Sequence, residues 1–293
     1  VGVSSCLMGS LIGYRMWLAD EYLQRSNAWM LMVLSTGFVF STWPVQVLLP
    51  IIGWRWIFGI IAILILVVII LTLLFIPSWE NNSGNVEEKN PGSLSDVWKN
   101  KFFQSTIPLG LFNYGGIVAI QTLWAGPWMI RVAGYTPLES ATGLFWINIT
   151  MLIAFFIFGY ILPKITKLGF DSMKLMKFGL PISYLSLLVI IISGENAGAI
   201  HFTIYILTSI VLTLAQPAVA LSFPTSLAGK SLTSFNLLIF VGTFIMQWGI
   251  GLIIDLSQFF GSEEILSFQI SFSLYLIICL FCYFYFILNN KNE

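Results

Sequence analysis

Residues 56–76 read WIFGIIAILILVVIILTLLFI, without a charged side chain and without a polar face. At about 1.5 Å of rise per residue such a run reaches about 30 Å as a helix, the thickness of a bilayer's hydrocarbon core. A helix packed on one side of a soluble domain shows an apolar stripe, and a half-buried strand alternates; this run does neither. It reads as a helix with hydrocarbon around it. After it the chain turns hydrophilic, from Ser78 to Lys101, with Asn81-Asn82-Ser83-Gly84 and Asn90-Pro91-Gly92-Ser93 in a stretch of mixed charge. That change of composition reads as a linker between two helical bundles.

The pattern of residues 56–76 recurs along the chain. Spans are expected at roughly 2–18, 29–52, 56–76, 102–130, 141–162, 175–193, 200–222, 235–254 and 265–288. Hydrophobic residues make up 58% of the 293, charged residues only 9%, and the mean hydropathy is +0.91, too little charge to cover a soluble domain. The expected fold class is all-α, a polytopic transmembrane helical bundle of about nine spans. The span at 102–130 contains Pro108, Gly115, Gly116, Gly126 and Pro127 and should be kinked or unwound near both ends. Pro44 and Pro50 mark the second span and Pro217 the seventh.

Formal net charge is zero and no basic patch stands out, so no nucleic-acid partner is expected. Cys6, Cys279 and Cys282 all lie in apolar runs, and the C-x-x-C pair reads as helix filling rather than a redox motif. One histidine and scattered boundary charges supply neither a catalytic set nor a metal site, and no cofactor is called for.

Orientation follows from lysine and arginine. Alternating the loops puts Arg15, Arg25, Lys89, Lys99, Lys101, Lys164, Lys167, Lys174, Lys177, Lys230 and Lys291 on one side, and only Arg55 and Arg131 on the other. The richer side, with the C-terminus, is expected to be cytoplasmic. An odd number of spans then starts the chain outside, at Val1 within an apolar stretch, which suggests a protein whose first helices are missing. Three spans precede the linker and six follow. The expected organisation is residues 1–77 as the second half of an N-terminal bundle, 78–101 as a cytoplasmic linker and 102–293 as a C-terminal six-helix bundle.

Several local sequences resemble parts of a single known family. Gly2-Val3-Ser4-Ser5-Cys6-Leu7-Met8, followed by Arg25-Ser26-Asn27-Ala28, looks like a fourth helix and its exit. Gly37 through Pro44, then Gly53-Trp54-Arg55-Trp56-Ile57-Phe58, looks like a fifth helix and the turn into a sixth. Leu123-Trp124-Ala125-Gly126-Pro127-Trp128 looks like the end of the seventh helix in a bacterial branch of the family. Gln216-Pro217 with Phe223-Pro224, Gly229-Lys230 and Asn236 resembles the tenth helix, its loop and the eleventh. Gly159-Tyr160-Ile161-Leu162-Pro163-Lys164, with Lys167 and Gly169, is similar to the loop between helices eight and nine, with Pro163 where the family often has Asp. In these stretches the chain resembles the major facilitator superfamily, and the resemblance implies helices four to twelve of a bacterial inner-membrane permease, a secondary active transporter working by alternating access. The implied partners are a small-molecule substrate, a coupling proton or ion where the mechanism needs one, and the lipid bilayer. A monomer is expected.

No Asp, Glu, Lys, Arg or His falls deep within a span, so the polar groups of a transport path should be amides, hydroxyls and aromatics. Substrate-cavity candidates are Asn113, Gln121 and Trp124 on the fourth span, Asn148 on the fifth, Gln216 on the seventh, and Asn236 and Gln247 on the eighth. From Asn113 to Gln121 and Trp124 the net rotation is about 80° and 20° at 3.6 residues per turn, which places the three broadly together. The alternative reading of each is interhelical glue. Structural or gating candidates are Arg15, Arg55, Gly159, Lys164 and Gly169; Lys164 reads equally as a topology determinant. Trp17, Trp54, Trp56, Trp98 and Trp128, near span ends, read as interfacial anchors, and Gly110, Gly115, Gly116, Gly242, Gly249 and Gly251 as points of close helix approach. Two other classes remain beside the transporter: a non-transporting or decayed membrane scaffold, and an integral-membrane enzyme.

Overall fold

The computed structural model describes Gly13, residues 20–75 and residues 92–290. Apart from Gly13, the span expected at 2–18, with Arg15, lies outside the described residues, as does most of the linker. Every element among those described is helical.

Two helices precede the linker. α1 (Asp20–Phe40) and α2 (Trp43–Phe75) are separated by the turn at Ser41 and Thr42. The single span expected at 29–52 is thus divided between them, and the helix that carries its first part begins earlier, at Asp20. Gly53 interrupts α2 at φ 73°, a conformation that only glycine adopts without strain. The Gly-Trp-Arg segment is therefore a one-residue break. Pro50 inside the preceding turn lacks the N–H that would tie it back and weakens the helix just before Gly53. Beyond the break almost every side chain is exposed, as the apolar run requires of a helix that meets lipid.

The chain after the linker opens with α3 (Leu94–Lys99), which Ser93 and Asp96 cap reciprocally: Ser93 N–H donates to Asp96 Oδ2 at 2.6 Å, and Ser93 Oγ accepts from Ser95 N–H. Val97 on α3 is fully buried. The end of the expected linker is therefore a folded helix.

Residues 101–131 form one rod, α4, whose hydrogen bonding changes four times. It is α-helical over Lys101–Pro108, Gly115–Ala119 and Ala125–Arg131 and π-helical over Leu109–Tyr114 and Ile120–Trp124. The rod is not unwound at its ends, as the prolines and glycines suggest. It is widened at two places, one directly after Pro108 and one directly before Gly126-Pro127, where a missing proline N–H disturbs the α ladder.

α5 (Pro137–Lys167) starts at a capping box in which Thr136 N–H donates to Glu139 Oε2 at 2.8 Å, with Pro137 at its first position. α6 (Ser172–Ser193) starts on Asp171, whose carboxylate accepts from Lys174 N–H at 2.8 Å. α7 (Ala199–Leu221) tightens to a 3-10 stretch at Ser209–Leu214, just before Gln216-Pro217. α8 (Thr225–Phe259) and α9 (Glu264–Asn289) are long and unbroken.

α4 packs on α8, α5 on α7, α6 on α7 and α9, and α8 on α9; α1 lies along α5 and touches α2. The core joins Phe103, Trp128, Phe202, Phe268, Phe272 and Phe286, all completely buried. Trp128 is thus no interfacial anchor. Its ring sits 4.7 Å from that of Phe272, and its indole N–H donates to Ala197 O at 3.1 Å.

The two ends of this bundle differ in charge. Arg131 at the end of α4 pairs with Glu264 at the start of α9 and lies over the Phe268 ring. The other end gathers Lys101, Lys164, Lys167, Lys174, Lys177 and Lys230, with Lys230 Nζ donating to Gly92 O at 2.7 Å.

Candidate functional site

The amide side chains singled out from sequence meet in pairs on four helices. Gln121 Nε2 on α4 donates to Asn148 Oδ1 on α5 at 3.0 Å, with Met151 Sδ also at 3.0 Å. Gln216 Nε2 on α7 donates to Asn236 Oδ1 on α8 at 2.6 Å. Gln247 Nε2 on α8 donates to Thr122 Oγ1 on α4 at 3.0 Å, and the Trp124 indole N–H donates to Gln247 O, also at 3.0 Å. Asn148 and Asn236 are buried, Gln121, Gln216 and Gln247 half-buried, and Thr122 exposed. Each amide retains donor or acceptor capacity beyond the bond it makes.

Asn113 stands apart from these couples. It is buried in the first π stretch, where the Tyr184 hydroxyl of α6 donates to its Oδ1 at 2.6 Å. The Tyr275 hydroxyl of α9 donates to its backbone carbonyl at 3.4 Å and contacts the Tyr205 hydroxyl of α7 at 3.1 Å. Asn113 Nδ2 is buried without a hydrogen-bond partner. Asn113, Gln121 and Trp124 therefore do not share one face; they reach α6, α5 and α8 respectively. The rotation expected at 3.6 residues per turn fails because two i→i+5 stretches shift the register along the way.

The gating candidates are spread more widely. Arg55 stacks on Trp54, 4.5 Å from its ring centroid, beside the Gly53 break. Gly159 lies within α5 and exposed Lys164 in its last turn; Pro163 between them does not end the helix. Gly169 turns the chain at φ 88°, and its carbonyl accepts from Lys174 Nζ at 2.9 Å. Arg15 lies outside the described residues.

Close approach of α4 and α8 sets the spacing of the Gln247–Thr122 couple and of the Trp124–Gln247 contact. A Cβ at Gly115 would lie 2.6 Å from the carbonyl carbon of Gly242, and a Cβ at Gly242 would collide with the Leu111 carbonyl. Gly116 abuts the Tyr275 ring, Gly110 the Phe235 ring and Gly251 the Trp124 ring, whereas Gly249 faces open space. Sequence reading missed Thr122, Tyr184, Tyr205 and Tyr275. The tyrosines had a usable signal, since a tyrosine far from a span end has no interface to anchor to and must find a buried partner.

The Major Facilitator Superfamily model matches residues 2–247. That covers most of the chain and includes every residue of the couples. The chain belongs to the major facilitator superfamily. No curated protein and no solved structure matches it. As a member of the superfamily it is a multi-pass membrane protein of the transporter class, in accord with the six helices among the described residues that are long and apolar enough to span a bilayer. The superfamily's members are transporters rather than enzymes. Within this member, Cys279 and Cys282 are buried free thiols on α9.

Proposed function

We propose that this superfamily member carries a small, uncharged polar solute across the bacterial inner membrane by alternating access, with its C-terminus in the cytoplasm. The observation that carries the reading is the set of amide couples, Gln121–Asn148, Gln216–Asn236 and Gln247–Thr122, on α4, α5, α7 and α8. A neutral amide pair can exchange a mutual hydrogen bond for one to a ligand hydroxyl or carbonyl without leaving a charge uncompensated in the membrane. The charged side chains of α4 to α9 lie within the first or last two turns of their helices, which favours a neutral cargo over an ionic one. The basic end of the bundle supports the orientation. Residues 1–77 and 102–293 would then belong to two bundles, with α1 against α5 as one contact between them.

The test is transport of a panel of isotope-labelled neutral solutes, polyols, sugars and amides, in cells expressing the chain. One class should move faster than in cells without it. For that class Gln121→Ala should lower the rate at least about tenfold, equivalent to about 1.4 kcal/mol, with the amount of protein in the membrane unchanged. If no class moves, or if the variant transports like the parent while only its thermal stability falls, Gln121 and Asn148 are interhelical ties and the reading is wrong.

A further inference from the structure

A second site lies at the basic end of the bundle, away from the amide couples. Between the start of α6 and the end of α9 runs a groove of about 260 Å³, with Lys174, Lys177 and Phe178 on one wall and Ile287 and Asn290 on the other, floored by Phe286. The walls are fixed to each other and to α4. The Tyr283 hydroxyl of α9 donates to Lys177 O of α6 at 2.8 Å, and Asn290 Nδ2 donates to Ser105 Oγ of α4 at 2.9 Å. The groove is therefore a feature of the packed bundle and not of a loose terminus.

Its charge is unbalanced. Lys174 Nζ reaches the Gly169 carbonyl, and Lys177 Nζ has no partner among the described residues. Among the described residues, Asp171 at the start of α6 accepts from Lys174 N–H as the helix cap, so one carboxylate stands beside two ammonium groups. Outward from the groove the surface is apolar: Phe178 is 65% exposed, Ile182 55%, Phe281 73% and Leu288 59%. Two ammonium groups at helix ends, beside an apolar wall that continues into the membrane span, match a molecule with an anionic head and hydrocarbon tails. A soluble anion would leave the Phe178 and Ile287 walls unused. A zwitterionic lipid would set its own cation against the lysines.

We propose that the α6/α9 groove binds the headgroup of an anionic phospholipid, with Lys174 and Lys177 on the phosphate and an acyl chain along Phe178 and Ile287. The inference rests on the chain spanning a membrane and is independent of what it transports. The site would fasten the start of α6 to a particular lipid at the membrane surface, where α6 and α9 meet.

The purified full chain in neutral detergent, titrated with dioleoylphosphatidylglycerol or dioleoylphosphatidylcholine and read by native mass spectrometry, tests it. Phosphatidylglycerol should be retained at least about fivefold better than phosphatidylcholine. Lys174→Gln with Lys177→Gln should abolish that preference, whereas Lys164→Gln with Lys167→Gln, at the end of α5 and outside the groove, should preserve it. Size-exclusion profiles identical to the parent's would establish that both double variants fold. Equal retention of the two lipids, or equal loss in the two double variants, overturns the site in favour of general surface charge. Displacement of phosphatidylglycerol by millimolar glycerol phosphate overturns the lipid in favour of a soluble anion.

Discussion

Gly242→Val is expected to leave little correctly folded protein. Gly242 on α8 faces Leu111 and Gly115 on α4, and the atoms in contact are backbone on both sides. A flexible side chain could rotate away, but a carbonyl inside a helix cannot move without moving the helix. Valine would force α4 and α8 apart, at about 3 kcal/mol or more, the upper range of overpacking costs. The Gln247–Thr122 and Trp124–Gln247 contacts would stretch with the separation, since they bridge the same two helices. Gly249 lies two turns further along α8 with nothing near its Cβ position, and there Gly249→Ala should be neutral or gain up to about 1 kcal/mol in helix propensity. The check is thermal unfolding in detergent, in a Cys6→Ser background, followed with a thiol-reactive dye that reports exposure of the buried Cys279 and Cys282. A large fall in midpoint for Gly242→Val, set against none for Gly249→Ala, is the expected pattern; similar midpoints would mean that α4 and α8 do not pack as closely as described.

Trp128→Ala should be the other severe substitution. The indole is completely buried among Phe202, Phe268 and Phe272 and donates to Ala197 O. In a membrane the transfer of an aromatic side chain out of water contributes less, because an unpacked helix still has lipid around it. The loss of packing remains. A void on the order of 100 Å³ at about 24 cal/mol per Å³ costs about 2–3 kcal/mol, and orphaning the Ala197 carbonyl adds about 1 kcal/mol. Trp146→Ala, at a ring 60% exposed, should change stability by less than about 0.5 kcal/mol. The same dye assay separates them. Equal midpoints would return Trp128 to the membrane interface that its place in the sequence suggests.

That contrast shows what the sequence can and cannot carry. A span that crosses hydrocarbon must be apolar all round, so the positions of the long helices are written in composition, residue by residue, and the run at 56–76 suffices to name the class. Sequence position along a span gives depth in the membrane, and depth alone placed Trp128 in the aromatic belt. Whether a residue at that depth faces lipid or a neighbouring helix depends on rotation about the helix axis. Here rotation is altered by the π stretches at Leu109–Tyr114 and Ile120–Trp124, which separate Asn113 from Gln121 and Trp124. Pro108 and Pro127 announced the disturbance without saying what form it takes. The amide candidates were legible for a different reason: uncharged polar groups in spans must find one another, and Gln121 with Asn148 and Gln216 with Asn236 did so. Thr122, the partner of Gln247, was invisible, because a threonine can satisfy itself on its own helix, as it also does here through Val118 O.

The most direct measurement is the accessibility of position 122 from the two sides of the membrane. Thr122 is exposed and joins α4 to α8 through Gln247. A Thr122→Cys variant in a Cys6→Ser background, with Cys279 and Cys282 buried, would be exposed to a membrane-impermeant maleimide in intact cells and in inverted vesicles. A path that opens alternately predicts labelling from both sides, while glutathione trapped in the opposite compartment stays unlabelled. Labelling from one side only, from neither, or accompanied by leakage to the trapped thiol would contradict alternating access through the amide couples.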